Sequence, residues 1–175
     1  MPTYARADLA FEKGEGPYLY AQGGRRFLDF GSGIAVNTLG HSHPHLVEKL
    51  SEQVGKLWHT SNLYRIPGQE KLAERLVANS FADTVFFCNS GAEANEAGIK
   101  MLRRYQHVSG TPEKNRILVA TNAFHGRTLG TLTAGASDKY REGFGPMPDG
   151  FDRVAFGNLN ELRNAITEQT GGIIL

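Results

Sequence analysis

Ten consecutive residues carry the densest chemical potential in the chain. Phe87-Cys88-Asn89-Ser90-Gly91-Ala92-Glu93-Ala94-Asn95-Glu96 joins an apolar, β-forming run to a helix through a Ser-Gly turn. The first amides of a helix have no internal acceptor, and the helix dipole places partial positive charge at that end. A phosphate suits this position: Ser90 offers a hydroxyl, and Gly91 permits close approach. The same residues also make an ordinary helix start, with Ser90 as N-cap and Gly91 as a packing residue. Both readings stand.

A second constellation is Asn122-Ala123-Phe124-His125-Gly126-Arg127-Thr128, which follows another strand-like run. Exits of successive parallel strands lie at one end of a sheet, where ligands collect. Phe124 offers a face for stacking on a flat molecule, and Arg127 offers paired donors for a carboxylate. The plainer alternative makes Phe124 a core residue and Arg127 a solvated charge. A third cluster, Gly40-His41-Ser42-His43-Pro44-His45, alternates three histidines as metal sites do. Pro44 breaks any strand there and no Cys-x-x-Cys or His-Glu-x-x-His completes a site, so capping and packing at the next helix is the better reading, with Ser42 or His43 as cap. Cys88 lies in an apolar run without a marked base and reads as a core thiol.

Familiar nucleotide signatures are absent. No G-x-x-x-x-G-K-[ST] occurs, and Gly31-Ser32-Gly33 has Val36 where the third glycine of G-x-G-x-x-G would fall, with no helix obviously opening there.

The elements that must position these residues follow from periodicity. Pro17–Gln22 and Arg25–Phe30 flank Gly23-Gly24 as a hairpin. A helix is expected over Pro44–Trp58, with Leu46, Val47, Leu50, Val54, Leu57 and Trp58 on one face. A second, Gln69–Asn79, should bury Leu72, Leu76 and Val77. Strands are expected at Thr84–Cys88, Arg116–Ala120 and Arg153–Phe156. Helices are expected at Ala92–His107 and Asn158–Gln169, the latter with Leu159, Leu162 and Ile166 inward. The Phe124–Gly135 segment reads as partly helical. Gly171-Gly172 reads as a turn, with another strand starting at Ile173 and expected to continue past Leu175. Strands alternating with helices imply an α/β chain with a parallel sheet.

Composition narrows the class. The 175 residues, 19.2 kDa, are 40% hydrophobic and 21% charged, which is ordinary for a globular protein. Nineteen lysines and arginines against 18 acids leave a charge of +1, so no nucleic acid or anionic membrane is expected as a partner. One cysteine excludes an internal disulfide and fits a reducing, cytoplasmic setting. No apolar run approaches the roughly 20 residues of a membrane span, and Met1–Arg6 lacks the apolar core of a secretory signal. Glycine, at 21 of 175, exceeds its average of about 7% and points to close backbone approaches.

Asn89–Ala97 together with Phe124–Thr128 resembles the class III pyridoxal-phosphate aminotransferases, nearest to their acetylornithine branch. Supporting stretches lie in order: Asp29-Phe30, Gly33–Asn37, Leu39–His41, His43-Pro44, Leu57–His59, Ser61-Asn62, Lys139-Tyr140 and Gly143–Pro146. The resemblance implies the large domain of a fold type I enzyme, truncated, with residues 1–58 as an arm-like N-terminal segment and 59–175 as the first part of the cofactor-binding domain. It implies pyridoxal 5′-phosphate held by Ser90, Gly91 and Ala92, with Phe124 stacked on its ring. Arg127 would bind a substrate carboxylate. Ile34 stands where ornithine-specific relatives carry tyrosine, which favours an acylated substrate.

The resemblance also implies amino-acid and 2-oxo-acid substrates, N2-acetylornithine and 2-oxoglutarate first, and a cytoplasmic homodimer; the alternatives are another ω-amino transaminase of the family, acting on succinylornithine, ornithine, 4-aminobutyrate or a carrier-linked lysine precursor, and a non-catalytic truncated binding fragment. The family's Schiff-base lysine and its pyridine-nitrogen aspartate lie in downstream segments not found here. Lys13, Lys49, Lys56, Lys71, Lys100, Lys114 and Lys139 all have the wrong neighbours. No catalytic residue is therefore assigned, and the chain alone is expected to be inactive.

Overall fold

The computed structural model describes residues 1, 3–135 and 137–175. Its contacts divide the chain into two units, Met1–Arg75 and Leu76–Leu175.

In the first unit the expected hairpin forms from β2 (Tyr18–Ala21) and β3 (Arg26–Leu28), in register from Tyr18 opposite Leu28. A further strand, β1 (Phe11–Glu15), pairs antiparallel with β2, and Phe11 meets Phe27 edge to face at 5.5 Å. Sequence alternation hides β1 because Lys13, Gly14 and Glu15 lack an apolar face. A single turn, α1 (Ser32–Ala35), occupies the segment where no helix was expected. Its φ values are positive at Ser32 (46°), Gly33 (63°), Ile34 (65°) and Ala35 (59°), a left-handed run that L-residues enter only at a cost.

The helix expected from Pro44 is α2 (Pro44–Val54), with Pro44 in its first turn, where the missing N–H is harmless. It stops four residues short of Trp58. Neither proposed cap acts as one: His43 is the N-cap residue but makes no side-chain cap bond, and Ser42 Oγ donates to the Gly14 carbonyl at 2.9 Å. The apolar stripe of α2 is real but uncovered among the described residues, with Trp58 just beyond it 83% exposed. Similarly, α3 (Pro67–Ala78) leaves Leu72 and Leu76 exposed rather than buried, with Val77 half-buried. Amphipathic spacing dictates which face wants cover, not that this chain supplies it.

The second unit carries α4 (Gly91–Val108), β4 (Arg116–Ala120), α5 (Leu129–Ala134), α6 (Asp138–Arg141), β5 (Phe151–Val154), α7 (Leu159–Ala165) and β6 (Thr170–Ile174). Its sheet has the order β5-β4-β6, all parallel, as the alternation requires. Ile117 and Val119 of β4 meet Ile99 of α4, Ala134 of α5 and Phe151 of β5 in one core cluster, with Leu102 and Ile174 at its margin. Leu118 and Ala120 are also buried, on the opposite face of the strand.

Five expectations change in this unit. Thr84–Cys88 is not a strand: no described strand pairs with it, and an apolar run without a ladder stays irregular. Phe86 is 66% exposed there, and Cys88 is an exposed thiol rather than a core one. The strand expected at Arg153–Phe156 lies two residues earlier as β5, because the chain turns at Ala155, whose carbonyl accepts from Asn158 N at 3.2 Å. α7 ends at Ala165, with Leu159 and Ile166 exposed and Leu162 half-buried. Gly171 and Gly172 are strand rather than turn. A Cβ on either would fall within 2.9 and 2.3 Å of Leu102, so their bareness lets β6 slide under α4.

Arg116 on β4 grips Asp152 on β5 with both branches, Nε to Oδ2 at 2.8 Å and a terminal nitrogen to Oδ1 at 2.6 Å. That hydrogen-bonded pair holds the Asp152 carboxyl below its ordinary 3.8. Its stabilisation is present above that ordinary value and disappears as pH falls through the folded carboxyl's own titration. Asp152→Asn is expected to cost about 1 kcal/mol at neutral pH, a figure reduced for the pair's partial exposure. The difference should vanish in strong acid, as read by denaturant unfolding across pH.

Candidate functional site

The start of α4 shows how far capping satisfies that helix end. Ser90 is extended, and its Oγ accepts from Glu93 N at 3.2 Å while its carbonyl accepts from Ala94 N at 3.0 Å. Glu93 reaches back to accept from Asn89 N at 2.6 Å and Asn89 Nδ2 at 3.3 Å. These bonds, the Asn89 side chain's first, hold the Glu93 carboxyl below its ordinary range. The capping reading of Ser90 is thus correct, yet among the described residues no acceptor meets the Gly91 and Ala92 amides, two of the first-turn N–H groups that a helix leaves unpaired. Gly91 does not pack: a Cβ there would meet nothing within 4 Å. The space beside Gly91 is open to an anion.

The Asn122–Thr128 loop leaves the end of β4. Thr128 caps α5 in a reciprocal box with Thr131 and also donates to the Glu96 carboxylate on α4. Gly126, at φ +139°, presses on the first turn of α4; a Cβ would lie 2.7 Å from Ala92 Cβ. Phe124 is 66% exposed, so it is not core and its face is available. The Arg127 guanidinium sits between two rings, 5.4 Å from the Phe124 centroid and 4.3 Å from that of Tyr140 on α6. An open cleft of about 400 Å³ runs along the strand exits, lined by Ala120–His125, Phe156 and Leu175.

The structure therefore gathers Ser90, Gly91, Ala92, Phe124 and Arg127 at one end of one unit. Ile34 belongs to the other unit, displayed on α1 with 93% of its surface exposed. Beneath it, Asp29 Oδ1 accepts from the Gly31 and Ser32 amides at 2.9 and 3.0 Å, and Asp29 Oδ2 pairs with His41 Nε2 at 2.7 Å. That bond, led by His41, keeps the Asp29 carboxyl below its ordinary range. His41 is thus engaged with a carboxylate, and among the described residues no three His, Cys, Asp or Glu side chains gather around a cation position.

Sequence reasoning missed Asn95, Glu96 and Tyr140. For Asn95 a signal existed: asparagine is a poor helix former that earns its place inside a helix by bonding elsewhere.

The sequence matches the aminotransferase class-III family over residues 2–174, and the chain belongs to that family. It is 61% identical over 173 residues to the acetylornithine aminotransferase of Brucella melitensis and 47% identical over 175 residues to acetylornithine aminotransferase 1 of Pseudomonas syringae pv. tomato. Both alignments cover at least 99% of this chain and 43% of the relative, so the chain spans less than half the length of the proteins it matches.

Among solved structures, N-acetylornithine aminotransferase from Stenotrophomonas maltophilia superposes with a TM-score of 0.75 at 38% identity, over 93% of this chain and 39% of that one. The ornithine aminotransferase from Toxoplasma gondii superposes at 0.93 with 22% identity, over 99% of this chain and 42% of that one, a likeness of fold. The architecture is accordingly the fold type I one, in part.

Class III aminotransferases depend on pyridoxal phosphate. The residues here fit that cofactor's phosphate on their own geometry: two first-turn amides with no acceptor among the described residues and an unfilled space at Gly91.

His125 lies inside this arrangement, 6% exposed, with Nε2 unpartnered. Burial pushes its imidazole below the ordinary 6.5. The unfolded chain therefore takes up the proton first, and stability is full above 6.5 and declines as pH falls below it, until the folded imidazole itself titrates. His125→Gln should abolish that decline, measured as the urea midpoint between about pH 7 and 5. Gly126→Ala is expected to cost upward of ~2 kcal/mol, since neither φ nor Ala92 accommodates the methyl, and to lower the thermal midpoint accordingly.

Proposed function

We propose that this chain is the N-terminal part of an aminotransferase that moves an amino group between N2-acetylornithine and 2-oxoglutarate in arginine biosynthesis. The observation that carries the reading is the start of α4, where among the described residues no acceptor meets the Gly91 and Ala92 amides and the space beside Gly91 is open, in the same unit as the exposed Phe124 face and Arg127. Identity of 61% to an acetylornithine aminotransferase supports the acylated substrate over the ornithine and ω-amino donors of more distant relatives.

Pyridoxal phosphate, when bound, supplies the electron sink and the amino-group carrier. This chain's residues would bind and orient. The Gly91 and Ala92 amides and the Ser90 hydroxyl hold the phosphate, and Phe124 holds the ring plane. Arg127, its planar guanidinium oriented by two aromatic rings, binds a substrate carboxylate. Ile34 would shape the acyl end of the substrate pocket. The covalent-attachment lysine and a carboxylate for the pyridine nitrogen would come from sequence beyond this segment, so the 175 residues alone are expected to show no turnover. The complete enzyme would be a cytoplasmic homodimer.

Three experiments test this. In the full-length protein, acetylornithine should outcompete ornithine, succinylornithine and 4-aminobutyrate as amino donor; preference for any of these reassigns the substrate. Gly91→Ala should leave thermal stability unchanged or slightly raised, because the added methyl meets nothing and suits a helix. Cofactor affinity should nevertheless fall about tenfold, the loss of roughly one good anion contact. Arg127→Ala should raise KM for the amino donor by about 10- to 100-fold, the worth of one charge-assisted pair, while cofactor affinity holds.

A further inference from the structure

We propose that Asn95 is a positioning residue that couples the phosphate-binding end of α4 to the loop carrying Phe124 and Arg127, an inference that rests on the aminotransferase reading above. Its Nδ2 donates at once to the Gly91 carbonyl and to the His125 carbonyl, each at 3.0 Å. Gly91 supplies one of the two free amides, and His125 directly follows Phe124. One side-chain nitrogen therefore ties the phosphate end to the stacking ring. Both partners are carbonyls, so only a donor serves here; an aspartate or a hydrophobe cannot.

The next residue reinforces the tie from the other side. Glu96 accepts from Thr128 Oγ1, and the Gly130 backbone lies so close beneath it that a Cβ would meet its carboxylate at 2.6 Å. His125 and Thr128 bracket Gly126 and Arg127, so the loop is pinned to α4 on both flanks of the arginine. Gly126 seated on Ala92 closes the gap between the pins. A loop held only by its own turn would let ring and guanidinium drift by the ångström that spoils alignment. Here the spacing from phosphate to ring is set by α4 itself.

The distinction from a merely structural role lies in which part of the cofactor is affected. Pyridoxine 5′-phosphate, which lacks the aldehyde and cannot attach to lysine, reports phosphate and ring together; inorganic phosphate reports the helix end alone. In the full-length protein, Asn95→Ala is expected to weaken pyridoxine 5′-phosphate about tenfold while changing inorganic phosphate less than about twofold, both by calorimetry. Equal losses for both probes, or no loss for either, would overturn the coupling. Hydrogen exchange on the unmodified protein gives a second test that survives a variant that fails to fold. Inorganic phosphate should slow exchange at the Gly126 and Arg127 amides, and an unchanged rate there overturns the proposal. If the unmodified protein binds neither probe, it is the aminotransferase reading that fails, and the coupling with it.

Discussion

Everything in the candidate site depends on a helix end that is only partly satisfied. The Ser90 hydroxyl takes the Glu93 amide and its carbonyl starts the helical ladder at Ala94, while among the described residues no acceptor meets the Gly91 and Ala92 amides. A fully capped terminus would be more stable alone and useless to an anion. A bare one would leave the whole turn to solvent and fray. The Ser90–Glu93 arrangement secures the helix while leaving its positive end open to a ligand. The sheet serves the same purpose from below: β4 anchors α4 and α5 through Ile117 and Val119, and its exit delivers the second loop beside the first.

The loop itself shows how local chemistry and tertiary contact divide the work. Thr128 and Thr131 start α5 by mutual capping, a decision the loop makes alone. Where the loop sits is decided by α4, through Ala92 under Gly126 and through Asn95 and Glu96 at its two ends. Arg127 then finds its place between Phe124 and Tyr140. Stacking orients a guanidinium without consuming its hydrogen-bond donors, which stay available in the guanidinium plane.

Much of this was legible in the sequence, and the failures share one cause. The long helix after Ser90, the Arg116–Ala120 strand, the Gly23-Gly24 hairpin and the parallel alternation all follow from spacing and turn chemistry, because those signals are local. Burial was overstated at Leu72, Leu76, Leu159 and Ile166, and a strand was expected at Thr84–Cys88. Each of these depends on a partner that spacing cannot name. The site residues Ser90, Gly91, Ala92, Phe124 and Arg127 were visible as types at strand exits. Tyr140 was not, because its contact with Arg127 exists only in the fold; Asn95 stood out as an asparagine inside a helix, but its partner at His125 lies 30 residues away. Asp29 and His41 escaped for the same reason: twelve residues apart in sequence, they meet only in the fold.

The left-handed turn at Ser32–Ala35 has a consequence for how such a chain changes over time. Asp29, pinned by His41, holds the start of the turn through the Gly31 and Ser32 amides, and Ile34 joins the bonding through its backbone alone, its N–H donating to the Gly31 carbonyl at 2.6 Å. Display and support are therefore separate residues. A new side chain at position 34 alters what the turn shows to its surroundings while the carboxylate that enforces the unusual backbone stays as it was. What the molecule displays at this point is free to drift without the fold having to be rebuilt beneath it.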